Sequence, residues 1–420
     1  MSASGSQQTA GGAAPHRLLS PVLMGLMVWA GFLVTVNGVA SPFLAKSFSL
    51  DDAGISFAFG FMSLDAVPTL LLTRRADHRG RRGVLLAACT ALPFVTLLAA
   101  LAPNLPLYVL VQIVRGFLTG TTSSIVIVML AEVLPAEQRA RGQARAGIAG
   151  ALGGGLALIV VSSLEHVPGT WRWAWALAAL PALALPIVWR VLPETDAFAH
   201  AAARGETASR RMLDLFGPPR RRVALARIGT IFLGGIPGAA AGSWVFYHVV
   251  HTLGMPAGVG SAILFVGGTV GLVGFPMAAR IADDIGRKTT LVLAATIAPI
   301  ASLAFYSGGG AAPSVLRLGL SFAALSVAGN AAITAGRALG AELFPTRLRS
   351  TYYGWAYLAE SSSVIAGQFL VAALTVAVGG LATAILWLQL LALPSLAIFW
   401  SFVPETLGRD LDAPPQPPAQ

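Results

Sequence analysis

Charged side chains that could do chemistry lie inside apolar stretches long enough to cross a lipid bilayer. Asp65 falls in the stretch 54–73, Arg115 in 107–131 and Glu360 in 350–376, whereas the other sixteen of the eighteen acids fall in loops or at helix ends. Counted at 1.5 Å per residue, Asp65 lies about 18 Å from Asp77 and Glu360 about 16 Å from Arg349, so both are near the middle of the bilayer. A carboxylate at that depth costs about 2.5 kcal/mol or more on insertion scales, so it rarely persists without a role. We predict that both acids carry protons; neutral acids hydrogen-bonded between helices are the structural alternative.

Arg115 can do a different kind of chemistry. A guanidinium binds a carboxylate through two parallel hydrogen bonds, or holds a nearby acid in its charged form. Arg115 is therefore predicted to bind either a carboxylate substrate or a proton-accepting acid. A purely structural ion pair with Asp65 is the alternative.

Other polar residues within the apolar stretches could line a cavity. They are Asn37, Asn330 and Gln368, each of which could equally bond a neighbouring helix. His248 lies about 20 residues into its stretch and is a candidate proton gate. We find no metal-ligand spacing among the six histidines, no nucleophile–base pair and no phosphate-binding loop. The sequence predicts neither an enzyme nor a bound cofactor or metal.

Composition requires a membrane protein. Of the 420 residues, 55% are hydrophobic and 11% are charged, against roughly 25% charged in soluble domains. Because a bilayer core needs about 20 apolar residues per helix, the sequence predicts an all-α polytopic membrane protein with twelve transmembrane helices. The predicted spans are 18–45, 54–73, 83–102, 107–131, 144–166, 171–190, 226–250, 257–279, 289–307, 314–340, 350–376 and 380–402.

The basic excess predicts the topology. Net charge is +10, and with an N-terminus inside, about 23 of the 28 Lys and Arg residues fall on the cytoplasmic side. Both termini are therefore expected in the cytoplasm of a multi-pass protein of the cell membrane, and a nucleic-acid partner is not expected. The expected partners are a small-molecule substrate, protons and membrane lipid, for a monomeric protein.

The chain divides into two halves. Residues 193–225 are the longest polar stretch and separate six spans (18–192) from six (226–403). The segment "RRMLDLF" within it could form an amphipathic helix on the membrane face or remain a solvated basic linker. Residues 1–17 and 404–420 are predicted to be disordered tails.

Two charged motifs recur in both halves. "DHRGRR" (77–82) and "DDIGRK" (283–288) share Asp77/Asp283, Gly80/Gly286, Arg81/Arg287 and Arg82/Lys288. After spans four and ten come Glu132/Arg139 and Glu342/Arg349, each pair seven apart. The glycines permit a tight turn, and the carboxylates are predicted to pair with arginines or cap helices, forming a latch on the cytoplasmic side. Simple topology anchors are the alternative.

These motifs, with "VLPET" (191–195), "FVPET" (402–406) and "WRW" (171–173), resemble those of the major facilitator superfamily, nearest its sugar-porter and metabolite–proton symporter branches. The resemblance implies two six-helix bundles that alternate access to a central site. It also implies that helices two and eleven pack together, so that at least one of Asp65 and Glu360 would hold a proton near neutral pH. The motif-opening glycine is Thr73 or Ala279 here, and the glutamine-rich seventh helix of sugar porters is absent.

The leading hypothesis is a secondary active transporter, a proton-coupled symporter of a small organic acid or similar metabolite. One alternative is an exporter of drugs or secondary metabolites driven by proton antiport. A transporter-like receptor or sensor without flux is an alternative of another class.

Overall fold

A computed structural model of the chain describes residues 13–133, 136–194, 212–218, 220–307, 314–344 and 346–407. These residues form helices and connecting turns, with no strand among them. Twelve helical stretches are long and apolar enough to cross a membrane, so the predicted fold class is confirmed. Helices suit such segments because backbone groups in lipid must bond within the segment. Residues 1–12, 195–211 and 408–420, which make up much of the predicted tails and linker, lie outside the described residues.

The chain forms two compact units. The first comprises Met1–Ala40 and Leu64–Thr207, and the second comprises Ser41–Ser63 and Ala208–Gln420. The chain passes from one unit to the other within the predicted linker. Residues 41–63 also belong to the second unit, although they precede the linker in the sequence.

Five helices and part of a sixth belong to the first unit. They are α1 (Ala13–Val39), the second part of α2 (Ala66–Arg79), α3 (Arg81–Leu101), α4 (Leu105–Val133), α5 (Ala136–Ser163) and α6 (Thr170–Leu177, a 3-10 turn Leu180–Ala184, and Leu185–Val191).

The second unit holds the remaining helices. They are a short helix Ser41–Ser47, the first part of α2 (Asp52–Met62), α7 (Arg221–Ser243, Val245–Tyr247 and π-helical His248–Thr252), α8 (Ala257–Gly271 and Gly274–Ile285), α9 (Arg287–Tyr306), α10 (Val315–Leu343), α11 (Thr346–Val378) and α12 (Leu381–Leu388, a 3-10 turn Gln389–Leu391, and Ala392–Phe402).

Two predicted spans are corrected by helix breaks. The predicted first span, 18–45, is not one helix: α1 ends at Val39 and a separate helix begins at Ser41, because Pro42 has no N–H to continue the ladder. The second span is interrupted by a 3-10 turn at Ser63–Asp65. Pro68 explains this break, since it cannot donate to the carbonyl of Leu64.

Glycines allow close helix packing in the first unit. A Cβ on Gly31 of α1 would overlap the Gly150 carbonyl of α5, and a Cβ on Gly153 would overlap the Val28 carbonyl. Small residues at membrane helix interfaces let the backbones approach in this way. The glycine-rich run 147–155 is therefore a packing surface.

The described end of the linker packs into the second unit. Met212–Phe216 forms a 3-10 turn in which Leu215 is fully buried. Phe216 meets the ring of Trp355 on α11 edge-on, with centroids 5.1 Å apart. This part of the segment is thus a 3-10 turn rather than an α-helix. Leu215 and Phe216 pack against protein, whereas Leu213 and Asp214 are exposed.

Candidate functional site

Arg115 of α4 is buried in the first unit, with 5% of its surface exposed. Its Nε donates a hydrogen bond to Oε1 of Gln112, one turn earlier, and its Nη1 donates to the Leu33 carbonyl of α1 at 3.4 Å. The guanidinium lies 5.1 Å from the ring centroid of Trp175 on α6. Trp175 in turn donates from Nε1 to the Tyr108 hydroxyl at 3.0 Å. Groups on three helices therefore orient this one cation.

Asp65 lies at the break in α2, half-buried beside α4. A Cβ on Gly116 would overlap the Asp65 carboxylate, so the glycine provides the space that the carboxylate occupies. Arg115 is near enough to attract that carboxylate. Among the described residues, however, no carboxylate lies within 4.0 Å of Arg115. The acid and the cation are neighbours but do not form a contact ion pair.

Two buried polar atoms without hydrogen-bond partners in the described part of the chain lie on α1 and α4, two of the helices that orient this cation. Oδ1 of Asn37, one turn beyond Leu33 on α1, is buried without a partner among the described residues, as is Nε2 of Gln112. Buried polar groups are normally paired. An unused acceptor and an unused donor are typical of a site that bonds a ligand or water.

In the second unit, two residues predicted to line a cavity bond to neighbouring helices. Asn330 of α10 donates from Nδ2 to the Gly271 carbonyl of α8 at 2.8 Å. Gln368 of α11 is 2% exposed, and its Oε1 accepts a hydrogen bond from Nε1 of Trp244 on α7 at 2.9 Å. Both amides therefore form the hydrogen bond to a neighbouring helix that the sequence analysis gave as the alternative to lining a cavity.

Glu360 lies on the wall of a cavity of about 500 Å³ within the second unit. The same cavity is lined by Arg337 and by Arg227, a residue that sequence reasoning did not select. Arg227 is 7% exposed. In the sequence Arg227 is the second residue of the apolar stretch 226–250. It is easily taken for part of the basic linker that precedes this stretch.

His248 lies where α7 becomes π-helical, a local form often found at functional sites. Its Nδ1 is buried without a partner among the described residues, and its ring lies 5.0 Å from that of Tyr306. The preceding residue, Tyr247, donates its hydroxyl to Oδ1 of Asp52 at 2.9 Å. His251 Nε2 stands 4.0 Å from the same oxygen. Sequence reasoning missed this cluster because 195 residues separate Asp52 from Tyr247.

The repeated charged motifs have matching geometry in the two units. Gly80 and Gly286 have φ angles of 100° and 103°, in the region that favours glycine. Arg81 Nη2 lies 2.7 Å from Glu132 in the first unit, and Arg287 Nε lies 3.1 Å from Glu342 in the second. Each pair joins the start of one helix to the end of the next within a single unit.

Asp283 of the second motif is also paired. Asp283 is exposed and lies 2.9 Å from Arg287 Nη2, one turn away. Lys288 donates from Nζ to the Trp400 carbonyl at 2.7 Å, and Arg82 in the first unit donates from Nε to the Leu192 carbonyl at 2.7 Å. The side chains of Asp77, Arg139 and Arg349 lie outside the described residues.

A glutamate of each "PET" sequence caps the helix that begins at the motif. Glu194 accepts the Arg81 N–H at 2.9 Å, and Glu405 accepts the Arg287 N–H at 2.9 Å and the Lys288 N–H at 3.0 Å. Anionic oxygens at a helix N-terminus satisfy free N–H groups and complement the helix dipole. The sequence shows that the "PET" segment is repeated. It does not show that the glutamate of each segment caps a helix whose first residue lies more than a hundred positions earlier in the chain.

Twelve apolar helices in two units, each with the same charged motif and the same helix cap, define a membrane protein built by internal duplication. The chain belongs to the Major Facilitator Superfamily, whose family model matches residues 22–368. The resemblance drawn from the motifs is thereby confirmed.

Known transporters are similar to the chain over most of its length. It is 26% identical over 371 residues to the gentisate transporter of Corynebacterium glutamicum, which covers 84% of this chain and 80% of that protein. It is 28% identical over 363 residues to the alpha-ketoglutarate permease of Escherichia coli K12, which covers 80% of each. Among solved structures, that of a D-xylose–proton symporter matches the fold with a TM-score of 0.69 at 20% identity, over 94% of this chain and 99% of that one.

The chain is therefore a multi-pass membrane protein and a secondary transporter of small molecules, not an enzyme. In the part of the chain that the structure describes, no group of three or more His, Cys, Asp or Glu residues could hold a metal ion.

Proposed function

We propose that this transporter is a proton-coupled symporter of a small organic acid that works by alternating access. It would function as a monomer in the cell membrane with both termini in the cytoplasm. The observation that carries the proposal is the state of Arg115: a buried cation, oriented by three helices, with no carboxylate of the described residues within 4.0 Å. Removing a charge from water is costly unless a counter-ion compensates, and a substrate carboxylate would supply that compensation.

The relatives support the same substrate class. Gentisate and alpha-ketoglutarate, which name two of the similar transporters, are both organic anions that carry a carboxylate. A carboxylate matches the flat fork of a guanidinium with two parallel hydrogen bonds. The free donor of Gln112 and the free acceptor of Asn37 would then bond the remaining polar groups of the substrate.

Asp65 supplies the proposed coupling to protons. An ionised Asp65 competes with a substrate carboxylate for the attraction of Arg115, and two anions beside one cation disfavour each other. Protonation of Asp65 removes the competitor, so proton and substrate would bind together and leave together. Glu360, on the wall of its own cavity in the second unit, is the second proposed proton carrier.

Counterflow into proteoliposomes tests the proposal. Purified protein is reconstituted with unlabelled gentisate or alpha-ketoglutarate inside, and entry of the labelled acid is followed. We expect exchange by the parent, a loss of about tenfold or more in Arg115→Gln because a charged hydrogen bond is removed, and partial retention in Arg115→Lys. Arg145→Gln, which removes an exposed arginine of α5, is the matched control and should exchange normally.

Three outcomes of this assay would contradict the proposal. Normal exchange by Arg115→Gln would show that the substrate carboxylate binds elsewhere. Exchange of a cationic drug in place of both acids would favour the exporter, and no exchange of any solute would favour the sensor.

A further inference from the structure

A cavity of about 500 Å³ lies inside the second unit, between α7, α9, α10, α11 and α12. It falls within the range of volumes that hold small molecules. About two thirds of its wall is formed by small and aliphatic residues of these five helices, and the rest by four aromatic rings and six polar or charged side chains. This composition is typical of a binding site for a compact, largely apolar ligand with one or two polar groups.

One wall of the cavity holds a cation with unused hydrogen-bonding capacity. Arg227 is 93% buried, being 7% exposed. Its Nη2 donates to the Gly336 carbonyl at a long 3.5 Å, and its Nε is buried without a partner among the described residues. No acid among those residues lies within 4.0 Å of it. A guanidinium with five donors and one long hydrogen bond is poorly compensated for its burial.

Gly336, which has no side chain, leaves space for this guanidinium at the cavity wall. A Cβ on Gly336 would lie 3.0 Å from Nη2 of Arg227, tighter than most real contacts. On another side the guanidinium carbon lies 5.7 Å from the ring centroid of Phe399, within the range of a cation–π contact. Glycine and phenylalanine thus hold the cation at the cavity without neutralising it.

The remaining charges in the cavity also favour an anion. Arg337 adds a second positive charge and Glu360 a single negative one, and both side chains are exposed. The lining therefore carries two cations against one acid. The acid does not pair with the buried cation, so an incoming anion would find Arg227 available.

Aromatic side chains give the cavity flat apolar walls. Tyr352 and Phe399 are 1% and 2% exposed, and Tyr353 and Tyr357 also line it. Aromatic rings pack favourably against one another in offset or edge-on arrangements. A ligand with a flat ring and one carboxylate would match both the rings and the guanidinium.

We infer that this cavity is a second anion-binding site, which takes a small aromatic carboxylate with Arg227 as its anchor. It is separate from the proposed site at Arg115, because every residue that lines it belongs to the second unit. The inference does not depend on flux or on proton coupling, so it can succeed or fail independently of the proposed function.

Binding of benzoate to the Arg115→Gln variant tests the inference, because that variant lacks the first proposed site. Isothermal titration of the purified variant should show one saturable benzoate site. Adding Arg227→Gln should weaken it by about tenfold or more, whereas adding Arg222→Gln, which removes an exposed arginine of the same helix, should leave it unchanged. Inorganic phosphate should not displace benzoate; displacement would indicate a general anion site and overturn the assignment to aromatic carboxylates.

A second measurement avoids dependence on the folding of an arginine variant. On a Cys89→Ser background, Ala332→Cys places a thiol on the cavity wall, and Ser314→Cys places one at an exposed helix start outside it. Benzoate should slow labelling of the first thiol by a methanethiosulfonate reagent several-fold and leave the second unaffected. Equal labelling of the cavity thiol with and without benzoate, together with no titratable binding, would overturn the inference.

Discussion

Glu405 provides a prediction whose size can be worked out from the structure. Its carboxylate accepts N–H groups from three successive residues at the start of α9: Arg287 at 2.9 Å, Lys288 at 3.0 Å and Thr289 at 3.4 Å. Loss of a helix cap costs about 0.5–2 kcal/mol, and loss of a negative charge at a helix N-terminus costs about 0.3–1 kcal/mol. Since Glu405 is only half-buried, water compensates part of the loss, and we expect about 1–2 kcal/mol for Glu405→Ala and less for Glu405→Gln.

Thermal unfolding of the purified protein, followed by its tryptophan fluorescence, measures this effect. For a unit of about this size each kcal/mol corresponds to roughly 2–4 °C in Tm, so Glu405→Ala should lower Tm by about 2–8 °C. Asp284→Asn is the matched control, because it removes an exposed acid of the same motif without removing a cap. A wild-type Tm for Glu405→Ala at pH 7 would refute the capping argument.

The same residue predicts a dependence on pH. Burial tends to raise the pKa of Glu405, but backbone N–H groups, first those of Thr406 and Lys288, outweigh burial and hold the pKa below its ordinary value of 4.5. A carboxylate with a lowered pKa in the folded state contributes stability that is fully present above its unfolded pKa. That stability is lost as pH falls through the folded value. The Tm difference between the parent and Glu405→Gln should therefore be constant from pH 6 to 8 and shrink below about pH 4.5.

Three further predictions concern the helices around the site. Gly116→Ala should impair transport by displacing the Asp65 carboxylate, whereas Gly147→Ala, where a Cβ meets nothing within 4 Å, should not; equal uptake rates for the two variants would contradict the packing argument. Tyr247→Phe removes one hydrogen bond at the end of α7 and should lower Tm by about 1–3 °C, a change that the same fluorescence assay would detect or exclude. On a Cys89→Ser background, cysteines engineered in the central linker and near both termini should resist an impermeant thiol reagent added outside intact cells, and labelling of the linker would refute the topology.

The length of the apolar runs was sufficient to predict twelve spans, because a membrane helix must be apolar along its whole length. It was not sufficient to predict where those helices break. The end of α1 near Pro42 and the 3-10 turn at Ser63–Asp65 depend on prolines, whose effect in a helix varies with the surrounding structure.

The candidate site was only partly visible in the sequence. Arg115 and Asp65 stand out because charge is rare within apolar stretches. Arg227 does not stand out, because it follows a basic linker and only the folded unit shows that it is buried. The cap by Glu405 and the bond between Tyr247 and Asp52 could not be foreseen, because each joins residues more than a hundred positions apart.

The most direct test of the central claim is accumulation of labelled gentisate in proteoliposomes under an imposed proton gradient. The parent should concentrate the acid only when the outside is more acidic, because protonation of Asp65 is proposed to accompany substrate binding at Arg115. Asp65→Asn and Glu360→Gln should lose accumulation while retaining exchange at equal pH. Proton coupling through these acids would be contradicted if both variants accumulated gentisate to the parental level. It would also be contradicted if accumulation by the parent did not depend on the proton gradient.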